Sequence, residues 1–176
     1  MKYVALLRGI NVGGNNKVEM PRLKKCFEGL GYENVSTYIN SGNVIFETEE
    51  KDTKKLAEKI ERAILNTFKL EIRVVIRDTK NIKKICSKIP AEWTNDKEQK
   101  TDVLFLWDEF ADKKSLKLIT INKDVDNLKY INGAIVWHVL KSDYKKSGMN
   151  KFIGTAVYKN MTARNINTLR KLAGLM

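Results

Sequence analysis

The strongest constraint on the fold is the order of the chain's β-prone and helical segments. Two short turns, Ser41-Gly42 and Asn132-Gly133, each join β-prone runs, and helical stretches separate those pairs from further strands. In the first half, the apolar run Tyr3-Val4-Ala5-Leu6-Leu7 predicts a strand over residues 3–8. Pro21 to Leu30 predicts a helix, with proline in its first turn and Gly31 as its stop. Residues 35–40 and 43–48 then form a strand pair. Asp52 caps a helix reaching about Phe68, with Leu56, Ile60, Ala63, Ile64 and Phe68 on one face, and residues 72–77 form the next strand. The order βαββαβ is that of a ferredoxin-like plait, an antiparallel sheet with two helices on one side.

The second half partly repeats the pattern. A short helix near Asn81 to Lys88 and a polar connector from Pro90 to Lys100 precede a strand at residues 102–107 and a helix over 113–121. Strands at 125–131 and 134–140 pair across Asn132-Gly133. Helical segments follow near residues 144–152 and from Thr162, the expected N-cap, to Leu172. The reading is an α+β chain: a ferredoxin-like domain over residues 1–90, then a degenerate plait-like α/β half over 91–176.

Charge supports the same division. The chain carries 33 Lys and Arg against 21 Asp and Glu, a net +12. Residues 1–88 hold 18 basic against 11 acidic side chains, residues 89–140 hold 7 against 9, and residues 141–176 hold 8 against 1. Two basic regions around a mildly acidic middle suit a polyanion such as nucleic acid or a phosphorylated partner, held through sequence-independent phosphate contacts. The alternative is that lysines simply solvate helix faces. Lysine outnumbers arginine, which favours diffuse charge over bidentate recognition.

Several chemistries lack their residues. Cys26 and Cys86 are far apart and only one histidine accompanies them, so neither a disulfide framework nor a zinc site is expected, and no cofactor is implied. Only five apolar residues separate Lys2 from Arg8, short of a signal-peptide core, and no apolar run approaches a membrane span; a cytoplasmic protein is expected.

The first strand empties into Arg8-Gly9-Ile10-Asn11-Val12-Gly13-Gly14-Asn15-Asn16. Backbone N–H groups of such a loop, ahead of a helix, can cradle an anion that Arg8 also clamps. The spacing fails both the Walker A and the dinucleotide fingerprints, since Asn15 stands where the lysine is due. The structural alternative is that Gly13 and Gly14 permit positive φ and that the asparagines satisfy their own backbone. Ser41 and Asn43, in the hairpin Asn40-Ser41-Gly42-Asn43, are expected near the end of the first strand. Ser41 lacks a histidine partner and reads as a turn residue rather than a nucleophile.

Thr162-Ala163-Arg164-Asn165 is read as the start of the last helix, where Arg164 has an unfavourable relation to the macrodipole and either shares an anion or pairs with a carboxylate. His138 alternates with apolar neighbours and is expected on a strand surface or half-buried. The three tryptophans are expected in packing roles. Asp124 and Asp126 read as solvated edge charges.

Leu6 to Gly14, Met20, Tyr38 to Phe46, and Thr162-Ala163-Arg164-Asn165 leading to Thr168-Leu169-Arg170-Lys171-Leu172 resemble the bacterial domain-of-unknown-function family numbered 1697. The resemblance spans nearly the whole chain and implies a ferredoxin-like fold in a cytosolic bacterial protein, with no activity attached. The chain departs from the family pattern at Ser147-Gly148-Met149 and at Ile166.

Two functional readings follow. The first is a non-catalytic protein that engages a polyanion through basic surfaces and the Arg8 to Gly14 loop. The second is a small-anion-binding protein or enzyme with a cleft near Arg8, Asn11, Ser41, Asn43 and Arg164, acting by electrostatic stabilisation; Gly9, Gly13, Gly14 and Asn165 are further candidate ligand-binding residues.

Overall fold

The computed structural model describes residues 1–176, and the chain divides into two compact units, residues 1–80 with Met176 and residues 81–175. The first unit is organised by β1 (Lys2–Leu7), whose residues from Tyr3 onward are all buried. A strand apolar on both faces belongs in the middle of a sheet. β1 pairs antiparallel with β3 (Asn43–Glu47) on one edge, Val4 facing Ile45, and with β4 (Val74–Asp78) on the other, Val4 facing Arg77. β2 (Glu33–Tyr38) pairs with β3, giving the order β2-β3-β1-β4.

Two helices cover one face of this sheet. α1 (Met20–Glu28) buries Leu23 and Phe27, and α2 (Thr53–Phe68) buries Leu56, Ile60 and Ile64. The Asp52 carboxylate caps α2 by accepting from the Lys54 and Lys55 amides, as its sequence position predicts. These residues share one core with alternate residues of the strands, Tyr3, Ala5, Leu7, Val44, Phe46, Val74 and Ile76. Val4, Leu6, Ile45 and Val75, on the other face, are buried too.

The second unit begins with most of α3 (Thr79–Lys88) and contains β5 (Gln99–Leu106), β6 (Asn127–Ile131), β7 (Ala134–Leu140), α4 (Ala156–Lys159), β8 (Met161–Asn165) and α5 (Ile166–Leu175). Its sheet order, β6-β7-β5-β8, places each strand where its counterpart stands in the first unit. The correspondence extends to single hydrogen bonds. Leu7 N–H donates to the Gly42 carbonyl at 2.9 Å, and Leu106 N–H to the Gly133 carbonyl at 3.0 Å. Arg8 N–H donates to the Arg73 carbonyl at 3.0 Å, and Trp107 N–H to the Asn160 carbonyl at 3.1 Å.

The connections of the second unit differ from the expected helices. Residues 113–121 form a 3₁₀ turn at Lys113–Leu118, capped by Asp112, and the β-branched Ile119-Thr120-Ile121 stretch leaves helical geometry. Residues 144–152 break into turns at Lys141–Lys146 and Gly148–Lys151 because Ser147 is extended and hydrogen-bonded to Asp126. Gly148 at that break lies so close to the Thr120 carbonyl that a Cβ would stand 2.0 Å from its oxygen. Residues 161–165 pair with β5, Arg164 facing Val103, so the last helix starts at Ile166 rather than Thr162. Its cap is Asn165, whose Oδ1 accepts from Thr168 N–H at 2.9 Å.

Asp126, expected as a solvated edge charge, is buried, and so is His138, expected on a strand surface or half-buried. Asp126 accepts from the Trp137 indole, the Ser147 hydroxyl and the Asn122 and Gly148 amides. Burial pushes its carboxyl up, but these four donors outweigh that and hold it below the usual carboxylate range. His138 faces Thr101 across β5 and β7 with Nδ1 2.9 Å from the Thr101 hydroxyl. That hydroxyl donates to the Thr94 carbonyl, so it accepts from Nδ1–H, and the Trp93 ring stacks 4.7 Å from the imidazole.

Two measurements test these placements. An alanine Cβ at Gly42 would stand 2.7 Å from the Leu7 Cβ and 2.9 Å from Ile10 Cδ1 at φ 74°, whereas Gly9, at φ 65°, faces open space. Urea unfolding should show Gly42→Ala losing about 3 kcal/mol and Gly9→Ala about 1 kcal/mol; equal losses would refute the close approach. Burial lowers the pKa of His138, against a smaller opposing effect of Glu92. The unfolded chain therefore takes up the proton more readily, and stability present above about pH 6.5 should decline as pH falls below it. Because His138 is the only histidine, His138→Gln should remove that decline.

Candidate functional site

The Arg8 to Asn16 segment folds on itself. Val12 and Asn15 form an isolated bridge with Gly13 and Gly14 between them at φ 57° and 80°, a pair of positive values that only glycine takes without strain. The Asn11 side chain accepts from Val18 N–H at 2.8 Å and donates to the carbonyls of Val18 and Asn40, each at 2.9 Å. Asn16 donates to the Gly9 carbonyl at 3.0 Å. Two of the three asparagines thus satisfy backbone groups.

The hairpin turn meets this loop. The Asn43 side chain is fully buried and donates to the Tyr38 carbonyl and the Ser41 hydroxyl, both at 3.0 Å. The bonds from Asn11 to Asn40 and from Leu7 to Gly42 fasten loop and hairpin together. Arg8, Gly9, Asn11, Ser41 and Asn43 are therefore gathered at one end of the first sheet, with Gly13 and Gly14 exposed at the loop tip. Two exposed apolar side chains, Val12 and Ile39, stand beside them, Ile39 at φ 49°. α1 starts only at Met20, behind Glu19 and ahead of Pro21.

Arg164 and Asn165 belong to the second unit. Arg164 is buried on β8, where Nη1 donates to the Thr162 hydroxyl at 3.0 Å and to the Ala163 carbonyl at 2.7 Å. Burial lowers its pKa to about 10, so it is cationic at neutral pH. Arg77 occupies the same register on β4, facing Val4 as Arg164 faces Val103, and donates to the Ile76 carbonyl at 2.8 Å. Both arginines read as parts of the repeated sheet.

A stronger concentration of charge lies in the second unit, beside the edge strand β6. A groove of about 600 Å³ runs between α3, the Lys113–Leu118 turn and β6. Lys84 and Lys88, one helical turn apart on α3, line it together with Lys113 and Lys129, and no carboxylate does. Leu116, Leu128 and Ile131 supply its apolar wall. Lys129 Nζ also lies 4.9 Å above the Trp93 ring. The sequence shows these lysines but not their meeting, because they come from three separated segments; the spacing of Lys80, Lys84 and Lys88 along one helix face was the available signal. No three His, Cys, Asp or Glu side chains lie close enough to hold a metal ion, and no helix is long and apolar enough to cross a membrane.

Among solved structures, the chain is similar to the conserved bacterial protein SP0830 from Streptococcus pneumoniae. The two share 27% sequence identity with a TM-score of 0.83, over 99% of this chain and 97% of that one. No curated protein matches. The model of a family described as protein of unknown function, DUF1697, matches residues 1–137. Matched by this model over most of its length, the chain belongs to the DUF1697 family.

Proposed function

We propose that the protein is a non-catalytic nucleic-acid-binding protein built from two ferredoxin-like plaits, the second degenerate, and that the groove beside β6 is its main contact. The observation that carries this reading is the convergence of Lys84, Lys88, Lys113 and Lys129 on one groove that no carboxylate lines. Like charges gathered on one groove repel one another, and a polyphosphate backbone relieves that repulsion while releasing counterions. Lysines act as point charges on phosphate, so recognition is independent of sequence. The Arg8 to Gly14 loop is a second contact in this reading, presenting a basic residue beside an exposed glycine tip. The alternative cleft has less support, because the Asn11 and Asn43 amides already bind the chain's own backbone.

Fluorescence anisotropy with a labelled single-stranded oligonucleotide of mixed sequence tests the proposal. Binding should be measurable at low ionic strength and weaken as salt rises. Replacing the four groove lysines by alanine should weaken it at least about tenfold and reduce the log–log salt slope by about 3. Arg8→Ala should give a smaller loss. An unchanged slope in the fourfold variant, or no binding at low salt, overturns the reading. Tighter binding of a phosphopeptide than of the oligonucleotide would replace nucleic acid by a phosphorylated partner.

A further inference from the structure

We infer that the first unit carries a small-anion site of its own, in the cleft between the start of β2 and the N-terminal half of α2. Tyr32 forms the base of the site and Lys55 and Lys59 flank it. The site is separate from the lysine groove in position and ligand size, and it stands whether or not nucleic acid binds.

The cleft has a volume of about 300 Å³ and is lined by Tyr32, Thr48, Glu50, Lys55 and Lys59 above the apolar Leu30 and Leu56. The informative group is the Tyr32 hydroxyl. Tyr32 is 7% exposed, and its phenolic oxygen is buried without a hydrogen-bond partner. A buried polar group in that state is uncommon, because it has lost water and gained nothing in return. The ring cannot readily turn away, since it stacks on Phe46 at 4.6 Å and meets Phe27 edge-on at 6.2 Å. Burial, reinforced by the charge of Glu50, pushes the phenol up to about 12. It therefore keeps its proton at neutral pH and is a fixed donor in search of an acceptor.

Three of the neighbouring side chains, Lys55, Lys59 and Thr48, can donate as well, and Glu50 is the one carboxylate beside them. Lys59 Nζ lies 5.4 Å from the centroid of the Tyr32 ring, over its face, and donates to the Leu30 carbonyl at 3.1 Å. Lys55 is one helical turn earlier on α2. The Thr48 hydroxyl accepts from Glu50 N–H at 3.3 Å, leaving its own hydrogen to donate, and Glu50 Oε1 is engaged by Asp52 N–H at 2.8 Å. A phenol, a hydroxyl and two ammonium groups, with the single carboxylate of Glu50 among them, thus surround a space at the small end of ligand sites. Their common complement is the oxyanion of a small metabolite, a carboxylate or a phosphate. On binding, the Lys59 ammonium exchanges the Leu30 carbonyl for the ligand.

Titration of the intact protein with inorganic phosphate and, separately, with succinate, followed by amide NMR, tests the inference. At least one anion should give saturable shifts centred on Gly31, Tyr32, Thr48 and Lys59, and the one that saturates at lower concentration identifies the class. Tyr32→Phe should weaken binding about tenfold through loss of the charge-assisted hydrogen bond, while its melting temperature stays level or rises because an unpaired buried hydroxyl is gone. Lys55→Ala with Lys59→Ala should abolish saturation. Lys54→Ala, an exposed lysine of the same helix outside the cleft, should leave it unchanged. Equal affinity in Tyr32→Phe, equal weakening by Lys54→Ala, or linear shifts with both anions overturns the inference.

Discussion

Every element of the first unit takes its place from a central strand that is hydrogen-bonded along both edges and apolar on both faces. Burying Tyr3 to Leu7 leaves no polar face, so β1 must be flanked by β3 and β4. A one-residue slip would exchange the two sides of the sheet and carry Tyr3, Ala5 and Leu7 away from the helices they pack with. The end of the strand is also fixed, because the Gly42 carbonyl takes its last amide and the Leu7 and Ile10 side chains leave no room for a Cβ on Gly42. The loop that follows is therefore rooted in the central strand of the unit. β5 has the same central position in the second sheet.

Comparison of the two units explains where the lysine groove comes from. In the first, α1 lies on β2; in the second, the short Lys113–Leu118 turn lies on β6. Nine residues of α-helix are replaced by six of 3₁₀ turn, which covers less of the strand. The groove lies beside that shortened element. The strand framework is common to both units, while the connections that pack against it have diverged.

Strands and hairpins were legible in the sequence because alternation and turn chemistry act locally. Asn132 and Gly133, at φ 46° and 83°, form the tight turn that their identities predict. The misread segments were those in which a distant partner decides. Met161 to Asn165 has the composition of a helix start, yet pairing with β5 takes it into the sheet. Asp126 reads as a surface charge because the four donors that bury it, at 122, 137, 147 and 148, come from three parts of the chain. Of the site residues, those around Arg8 and Ser41 are brought together as local reasoning suggested, but with the Asn11 and Asn43 amides bound to the chain itself. Tyr32 carries no sequence signal, since an unpaired phenol is a property of packing alone.

The lysines beside β6 have a second physical effect. β6 ends its sheet, and an edge strand offers unpaired backbone groups to any other extended chain. Lys129 on the strand and Lys113 next to it surround that edge with positive charge, which opposes the approach of a second copy of a chain whose net charge is already +12. Any change that neutralises these lysines removes this protection along with the charge. Colloidal stability thus depends on the charge state of these few lysines.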